Sequence, residues 1–183
     1  MIVVDLGAGR GSFLEDDCGY RRELATLKGK VAKVIGIDVD PAVMTNPAMN
    51  EAHVYDGGAL PLADGSVDLI NSDWTLEHID DPAGFAAEVY RVLKPGGWFC
   101  ARTPYLYSLL TLASTIVPNK KHTSVLKEVQ PDRLEHDVFP TRYRLNSRGA
   151  VRRAFGPDGS MMRPTRRRRS PGITSKTPWF MRR

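Results

Sequence analysis

Residues 2–11 read IVVDLGAGRG, and this stretch decides the fold. The apolar residues around Asp5 predict a buried strand, and Gly7, Gly9 and Gly11 predict a tight turn directly after it. Because glycine has no side chain, the backbone of such a turn can pass close to a ligand. The residues that follow predict a helix whose free N–H groups would face the same ligand. The stretch therefore predicts a nucleotide-binding loop, although its G-x-G-x-G spacing differs from the G-x-G-x-x-G typical of dinucleotide sites.

Further strands and helices alternate along the chain after this loop. Apolar runs predict strands at 31–39, 52–54, 67–71 and 98–102. Between the last two, the pattern predicts a helix that begins at Asp80–Pro82 and carries one apolar face formed by Phe85, Val89, Val92 and Leu93. Strands that alternate with helices are typical of an α/β, doubly wound parallel sheet, which binds ligands beyond the carboxyl ends of its strands.

Length and composition fit one globular domain. The chain has 183 residues, of which 42% are hydrophobic and 26% charged, and the apolar stretch at 106–117 is interrupted by hydroxyl residues. Met1 leads directly into the first strand, without a signal peptide. Cys18 and Cys100 fit neither metal nor disulfide spacing, so we expect small apolar residues in a reducing compartment. These features predict a cytoplasmic protein without a membrane partner.

Charge divides the chain unevenly. The first 141 residues carry thirteen basic and twenty acidic groups, whereas the rest carries thirteen basic groups and one acid. After Phe155 the sequence has no alternating β-branched run and is rich in Arg, Pro, Ser and Thr, a composition typical of disorder. We therefore predict one domain over 1–155 and a basic, disordered tail over 156–183.

Four runs over residues 2–105 carry a resemblance to a known family. In order they are VVDLGAGRG, VIGIDVD, YDGGALPLADGSVDLINSDWTLEHIDDP and EVYRVLKPGGWF. Together they resemble the class I S-adenosylmethionine-dependent methyltransferases, most closely the bacterial branch that includes ubiquinone and menaquinone biosynthetic enzymes. The resemblance implies a Rossmann-like, mostly parallel sheet of order 3-2-1-4-5 and S-adenosylmethionine as the cofactor. The family's sheet ordinarily closes with two more strands, so we expect C-terminal strands to be missing and the domain to be incomplete at both ends.

The resemblance also implies a set of cofactor-binding residues. Asp38 would accept hydrogen bonds from the ribose hydroxyls, Asp56 and the Gly57 backbone would bind the adenine amino group, and Asp5 and Asn71 would orient the ammonium group. Taken alone, Asp38 suits the ribose of a dinucleotide equally well, Asp56 is more typical of a turn, and Asn71 is equally typical of a cap. The complete set is Asp5, Gly7, Gly9, Gly11, Asp38, Asp56, Gly57 and Asn71.

Catalysis by this family is an in-line displacement, so a base is needed only where the acceptor must lose a proton. His78 and His122 are the candidate bases, although the alternative for Glu77 and His78 is that they shape the site or the following loop. No metal is expected, because Trp74 takes the position that would extend the acidic set of metal-dependent relatives. Beyond Pro104, five residues are candidates for the acceptor pocket or, alternatively, for the core: Tyr105, Tyr107, His122, Phe139 and Tyr143.

Three functions remain open from sequence. The first is methyl transfer to a small-molecule acceptor. The second is a cofactor-binding domain that is catalytically impaired by truncation. The third is a nucleic-acid-associated protein that uses the basic run Arg166–Arg169. The sequence SDWT lacks the aromatic–proline tetrad of nucleic-acid amino methyltransferases, which disfavours a nucleic-acid partner.

Overall fold

The computed structural model describes residues 1–106, 140–156 and 176–182. Its strands are β1 (Ile2–Leu6), β2 (Lys33–Asp38), β3 (Glu51–Val54), β4 (Val67–Asp73), β5 (Leu93–Pro104) and β6 (Lys176–Arg182). Its α-helices are α1 (Gly19–Ala25), α2 (Pro82–Val92) and α3 (Arg148–Phe155), and three 3₁₀ turns cover Ser12–Glu15, Pro41–Thr45 and Leu76–His78. In this described part, no helix is both long and apolar enough to cross a bilayer.

The strands form one sheet of order β3-β2-β1-β4-β5-β6, in which β1 to β5 are parallel. This confirms the predicted α/β fold and its 3-2-1-4-5 order. The register places Asp5 beside Asn71 and pairs Asp38 with Val54. Because parallel strands end at the same edge, the polar residues near the carboxyl ends of β1, β2 and β4 lie along one edge of the sheet.

Strand β6 lies within the segment predicted to be a disordered tail, and it corrects the expectation that no strand follows Phe155. It pairs antiparallel with β5, from Trp98 opposite Arg182 to Pro104 opposite Lys176. An edge strand needs only backbone groups to pair with its neighbour, and proline is tolerated there. Hydrophobic alternation was therefore the wrong criterion for this segment. The predicted division into a domain over 1–155 and a tail stays a prediction.

Both faces of the sheet are covered. On one face, α2 and α3 enclose the main core, which includes Val4, Ile70, Phe85, Val89 and Phe155. On the other, a smaller cluster joins Val34, Ala48 and Met49. Adjacent strand residues point to opposite faces, so Val34 and Ile35 belong to different clusters.

Helix α2 begins as predicted, because the Asp81 side chain accepts a hydrogen bond from the Ala83 N–H at 3.1 Å and Pro82 takes the first helical position. Its buried face contains Phe85, Val89 and Val92. Leu93, predicted to be helical, is instead the first residue of β5. Pro95 disfavours helical geometry at the residue before it, Lys94, so the helix ends ahead of this step. The pairing of β5 with β4 then shifts register between Val67, opposite Leu93, and Leu69, opposite Trp98.

The helix expected directly after the glycine turn is only a four-residue 3₁₀ turn, Ser12–Glu15. The Asp16 side chain accepts a hydrogen bond from the Cys18 N–H at 2.8 Å, which closes a turn that competes with helical geometry. Helix α1 therefore starts at Gly19, so the helix N-terminus predicted beside the ligand is not there.

Candidate functional site

The glycine turn after β1 has three left-handed residues with different surroundings. Gly7, Gly9 and Gly11 have φ angles of 84°, 52° and 82°. A Cβ atom on Gly7 would lie 2.1 Å from Thr75 Oγ1, and one on Gly11 would lie 2.6 Å from Asn46 Oδ1. A Cβ atom on Gly9 would meet nothing within 4 Å. Two of the glycines are thus closed by protein, whereas Gly9 faces open space at the carboxyl edge.

Asn46 fixes this turn from the side. It is buried, and its Nδ2 donates to the carbonyl oxygens of Ala8 and Gly9, at 3.1 Å each. Its Oδ1 accepts from the Ala48 N–H at 2.9 Å. The side chain thereby satisfies two loop carbonyls, which would otherwise require water.

Asp38 ends β2 and faces the same turn. Its Oδ2 accepts from the Gly9 N–H at 2.7 Å, and its Oδ1 accepts from the Asp40 N–H at 2.9 Å. A carboxylate has about four acceptor positions, so each oxygen keeps one for a further donor. The sequence prediction that Asp38 and the glycine turn act together therefore matches their geometry.

Asp5 and Asn71 lie side by side on neighbouring strands. Asn71 Nδ2 donates to Asp5 Oδ1 at 3.0 Å. Burial raises the pKa of the Asp5 carboxyl above its usual 3.8, and the negative charges of Asp73 and Asp38 add to this shift, against the hydrogen bond from Asn71. Asp5 and Asp38 thus place two carboxyl groups at this edge of the sheet, an arrangement that favours a cation. Asp73 is paired with Arg102.

Asp56 follows β3 on the strand next to Asp38, because Val54 pairs with Asp38 and the Tyr55 N–H donates to the Asp38 carbonyl at 2.7 Å. Its exposed side chain accepts from the Gly58 N–H at 2.9 Å, and Gly57 has a φ of 92°. This hydrogen bond forms a turn, which is the alternative to adenine binding that the sequence left open for Asp56. Its role toward adenine stays a prediction.

Arg91 holds the loop that follows Asp56. Its guanidinium donates to the carbonyl oxygens of Leu60 and Leu62 at 2.9 and 2.8 Å, and to Glu88 through two bonds. Glu88 Oε2 in turn accepts from the Leu60 N–H at 2.7 Å. Two side chains of helix α2 thereby hold the backbone of residues 60–62 against the helix.

Glu77 is a buried carboxyl in the 3₁₀ turn Leu76–His78 that follows β4. It accepts from Thr103 Oγ1 at 2.8 Å, and Asn146 Nδ2 donates to the same Thr103 oxygen at 2.7 Å. Burial raises the pKa of Glu77 above its usual 4.5, against the hydrogen bonds that it accepts. The carbonyl of Glu77 also accepts from the N–H groups of Arg142 and Tyr143, at 2.6 and 3.0 Å. Glu77 thus joins β5 to the segment before α3.

His78, a candidate base, supports the same segment. Its Nδ1 lies 2.9 Å from the Pro140 carbonyl oxygen, and Arg144 pairs with the neighbouring Asp80. These contacts fit the alternative in which Glu77 and His78 shape the site. The other candidate base, His122, lies outside the described residues, as do Tyr107 and Phe139. The two remaining acceptor-pocket candidates, Tyr105 and Tyr143, are half-buried.

Residues 1–106, 140–156 and 176–182 contain no group of three His, Cys, Asp or Glu side chains arranged to hold a metal ion. Sequence reasoning missed Asn46, Thr75 and Arg91, all of which fix the loops of the site. Asn46 and Thr75 act through contacts across the sheet edge, for which the sequence carries no local signal. Arg91 was detectable in part, since Glu88 and Arg91 are three residues apart on a predicted helix.

Comparisons with known proteins agree with this geometry. A family model described as a methyltransferase domain matches residues 4–101. A Mycolicibacterium smegmatis protein named "Probable S-adenosylmethionine-dependent methyltransferase" is 36% identical over 102 residues, which cover 53% of this chain and 39% of that protein. Malonyl-[acyl-carrier protein] O-methyltransferase 1 of Coxiella burnetii is 32% identical over 122 residues, 67% of this chain and 40% of that protein. The chain thus spans less than half the length of these curated relatives.

A solved structure shares the fold at lower identity. The Thermotoga maritima protein described as an S-adenosylmethionine-dependent methyltransferase, possible histamine N-methyltransferase, aligns with a TM-score of 0.63 and 17% identity, over 99% of this chain and 81% of that chain. The resemblance to the ubiquinone and menaquinone branch stays a prediction. The family itself is shown by the match to more than half of the chain. The chain belongs to the class I S-adenosylmethionine-dependent methyltransferases, whose cofactor is S-adenosylmethionine.

Proposed function

We propose that this protein transfers a methyl group from S-adenosylmethionine to a small-molecule acceptor. The observation that carries the proposal is the open space beside Gly9, between two glycines that are closed by Thr75 and Asn46. The cofactor would enter there, against backbone that no side chain covers. The adjoining Asp38 keeps acceptor positions for a diol, and the electronegative edge suits a cation.

The residues present fit the cofactor part by part. Asp38 would bind the ribose, Asp56 and Gly57 the adenine, and Asp5 with Asn71 the ammonium group of the methionine portion. S-adenosylmethionine, when bound, would supply an electrophilic methyl group on a sulfonium. Once the methyl group has passed to the acceptor, the sulfur is left as a neutral thioether. The protein's own task is then to hold the two partners in line and to keep water away from them.

Support for a small acceptor comes from one relative. An Aquipseudomonas alcaligenes protein, 32% identical over 111 residues, is named an arsenite methyltransferase, whereas the Coxiella relative is named for a malonyl group on an acyl-carrier protein. These acceptors differ widely, so the acceptor is not transferred from either. His78 Nδ1 already contacts the Pro140 carbonyl, which disfavours that nitrogen as a base. An acceptor that arrives deprotonated or with a free lone pair needs none.

Calorimetric titration with S-adenosylhomocysteine tests cofactor binding. We expect wild type to bind and D38N to bind at least tenfold more weakly, because an amide presents the ribose with one acceptor fewer. D17N is the matched control, since Asp17 is an exposed carboxylate outside the site and the variant makes the same charge change. Absence of heat from folded wild type, or equal affinities for D38N and D17N, would contradict the proposal.

Transfer itself is tested with S-adenosylmethionine that carries a tritiated methyl group. The protein is incubated with a cell extract, which is then separated into small molecules, protein and nucleic acid. We expect label to enter the small-molecule fraction in a reaction that D38N slows. Label confined to protein or nucleic acid would refute a small-molecule acceptor while leaving methyl transfer intact.

A further inference from the structure

The glycine turn after β1 receives little support from the residues that follow it. In nucleotide-binding loops of this kind, a helix that starts directly after the turn packs against the strand and holds the loop in shape. Here the chain continues instead into the 3₁₀ turn Ser12–Glu15, none of whose residues is fully buried, and α1 starts only at Gly19. Because its glycines also add backbone freedom, the turn needs support from another part of the chain.

Asn46 supplies this support from the segment between β2 and β3. The residue directly follows the 3₁₀ turn Pro41–Thr45 and is buried. Its Nδ2 group has two hydrogens and two acceptors, the carbonyl oxygens of Ala8 and Gly9, each at 3.1 Å. Its Oδ1 accepts from the Ala48 N–H at 2.9 Å. Since both ends of the carboxamide are engaged, these contacts fix the plane of the side chain and, with it, the direction of the two loop carbonyls.

The Asn46 carboxamide and the open space beside Gly9 lie on different sides of the turn. A Cβ atom on Gly9 would meet nothing within 4 Å, whereas the Gly9 carbonyl oxygen lies 3.1 Å from Asn46 Nδ2. The Gly9 N–H is also directed at protein, since it donates to Asp38 Oδ2 at 2.7 Å. Asn46 therefore holds the carbonyl oxygens of Ala8 and Gly9 away from the open space.

We propose that Asn46 is a positioning residue for cofactor binding, which keeps these two carbonyl oxygens out of the open space so that the amino-acid end of S-adenosylmethionine fits there. This inference rests on the proposed function, because it requires the cofactor at the glycine turn. The amino-acid end carries a carboxylate, which only accepts hydrogen bonds and is repelled by carbonyl oxygens. The adenosine end, assigned to Asp38 and Asp56, depends less on how the turn is held. Asn46 thus acts on one part of the cofactor more than on the other.

Two ligands separate the two parts of the cofactor. S-adenosylhomocysteine has both the adenosine and the amino-acid end, whereas 5′-methylthioadenosine lacks the amino-acid end. In calorimetric titrations of wild type, we expect S-adenosylhomocysteine to bind about tenfold or more tightly than 5′-methylthioadenosine. Equal affinities would overturn the inference, because the amino-acid end would then gain nothing at the turn. Binding of neither ligand by folded wild type would instead refute the proposed function, so the two failures are distinguishable.

Substitutions of Asn46 test its part in this preference. N46D replaces the two donor hydrogens by a carboxylate that repels both loop carbonyls, and N46A removes the donors without adding charge. We expect each variant to bind S-adenosylhomocysteine about tenfold or more weakly than wild type, and 5′-methylthioadenosine within about twofold of wild type. N50D is the matched control, because Asn50 is exposed and its Oδ1 accepts from the Val34 N–H at 2.9 Å, a bond that aspartate keeps. It should bind both ligands as wild type does.

The ratio of the two affinities distinguishes positioning from a merely structural role. A general loss of structure would weaken the binding of both ligands together and leave their ratio unchanged. An unchanged ratio in folded N46D and N46A would therefore overturn the inference. Loss of folding in both variants, measured by urea unfolding, would overturn it as well, because Asn46 would then serve the fold and not the ligand.

Discussion

Thr75 Oγ1 occupies the space that a side chain at Gly7 would need, 2.1 Å from the position of a Cβ atom there. The same hydroxyl donates to the Leu6 carbonyl, so the residues after β4 are fastened to the turn after β1. Glycine at position 7 is therefore required by packing within the protein. Gly9, whose missing side chain opens onto free space, is the residue that lets a ligand approach.

G7A should destabilise the fold more than its backbone angle alone requires. Alanine in the left-handed region costs about 1–2 kcal/mol, and at position 7 the methyl group must also displace Thr75. We expect the free energy of unfolding, measured in urea, to fall by about 3 kcal/mol or more. G29A is the matched control, because Gly29 has the same φ of 84° and nothing within 4 Å of its Cβ position. Equal losses for the two variants would mean that Thr75 does not constrain the turn.

The charged Asp5 carboxyl should lower the free energy of unfolding at neutral pH. Burial, helped by Asp73 and Asp38, raises its pKa above the usual 3.8, so the folded protein binds the proton more tightly than the unfolded chain. Stability from this group is therefore complete below the usual pKa and is lost as the pH rises through the raised pKa. We expect D5N to be more stable than wild type at neutral pH and to bind S-adenosylhomocysteine more weakly, a trade-off typical of functional sites.

The pH dependence supplies the check on Asp5. Urea unfolding between about pH 4 and about pH 8 should show wild type losing stability relative to D5N as the pH rises. D17N, which removes an exposed carboxylate, should run parallel to wild type over this range. A constant difference between D5N and wild type would rule out the raised pKa as the cause.

The sequence predicted the parts of the fold that depend on local pattern. The five parallel strands, the Asp81 cap of α2 and the polar residues at the strand ends all follow from periodicity and turn chemistry. What it missed depends on contacts between distant segments. Asn46 reaches the glycine turn from 37 residues away, and β6 exists because β5 presents an open edge. Neither leaves a signal in its own neighbourhood of the chain.

The same distinction between local patterns and contacts of distant segments applies to the candidate site. Asp38 and the glycine turn were predicted together, because each ends or follows a strand and neighbouring strands end at one edge. The engagement of His78 with Pro140 was not predictable, since it depends on where the chain returns after β5. The left-handed conformation of Trp74 also carried no signal, because the pattern treats tryptophan simply as an apolar residue.

Glu77 should tolerate loss of its charge better than loss of its side chain. E77Q keeps an acceptor for Thr103, whereas E77A leaves the buried Thr103–Asn146 pair without it. We expect E77A to lose about 1–3 kcal/mol of unfolding free energy relative to E77Q at neutral pH. Because the pKa of Glu77 is raised, its stabilising contribution is lost as the pH rises, and E77Q should equal or exceed wild type there. Equal stabilities of E77A and E77Q would show that the carboxyl does not hold this network.

Substitution of Phe155 tests how much α3 contributes to the stability of the core. Its ring stacks on Phe99 at a centroid distance of 5.5 Å and meets Phe85 edge-on at 6.3 Å. Truncation of a fully packed aromatic residue costs about 3–5 kcal/mol, so F155A should lower the free energy of unfolding by that amount in urea. Y90F is the control, since it keeps the ring, removes the 2.6 Å hydrogen bond from Tyr90 Oη to the Phe155 carbonyl and should cost about 1 kcal/mol. A loss in F155A no larger than that in Y90F would mean that the domain core ends before α3 and that the predicted boundary near residue 155 lies too far along the chain.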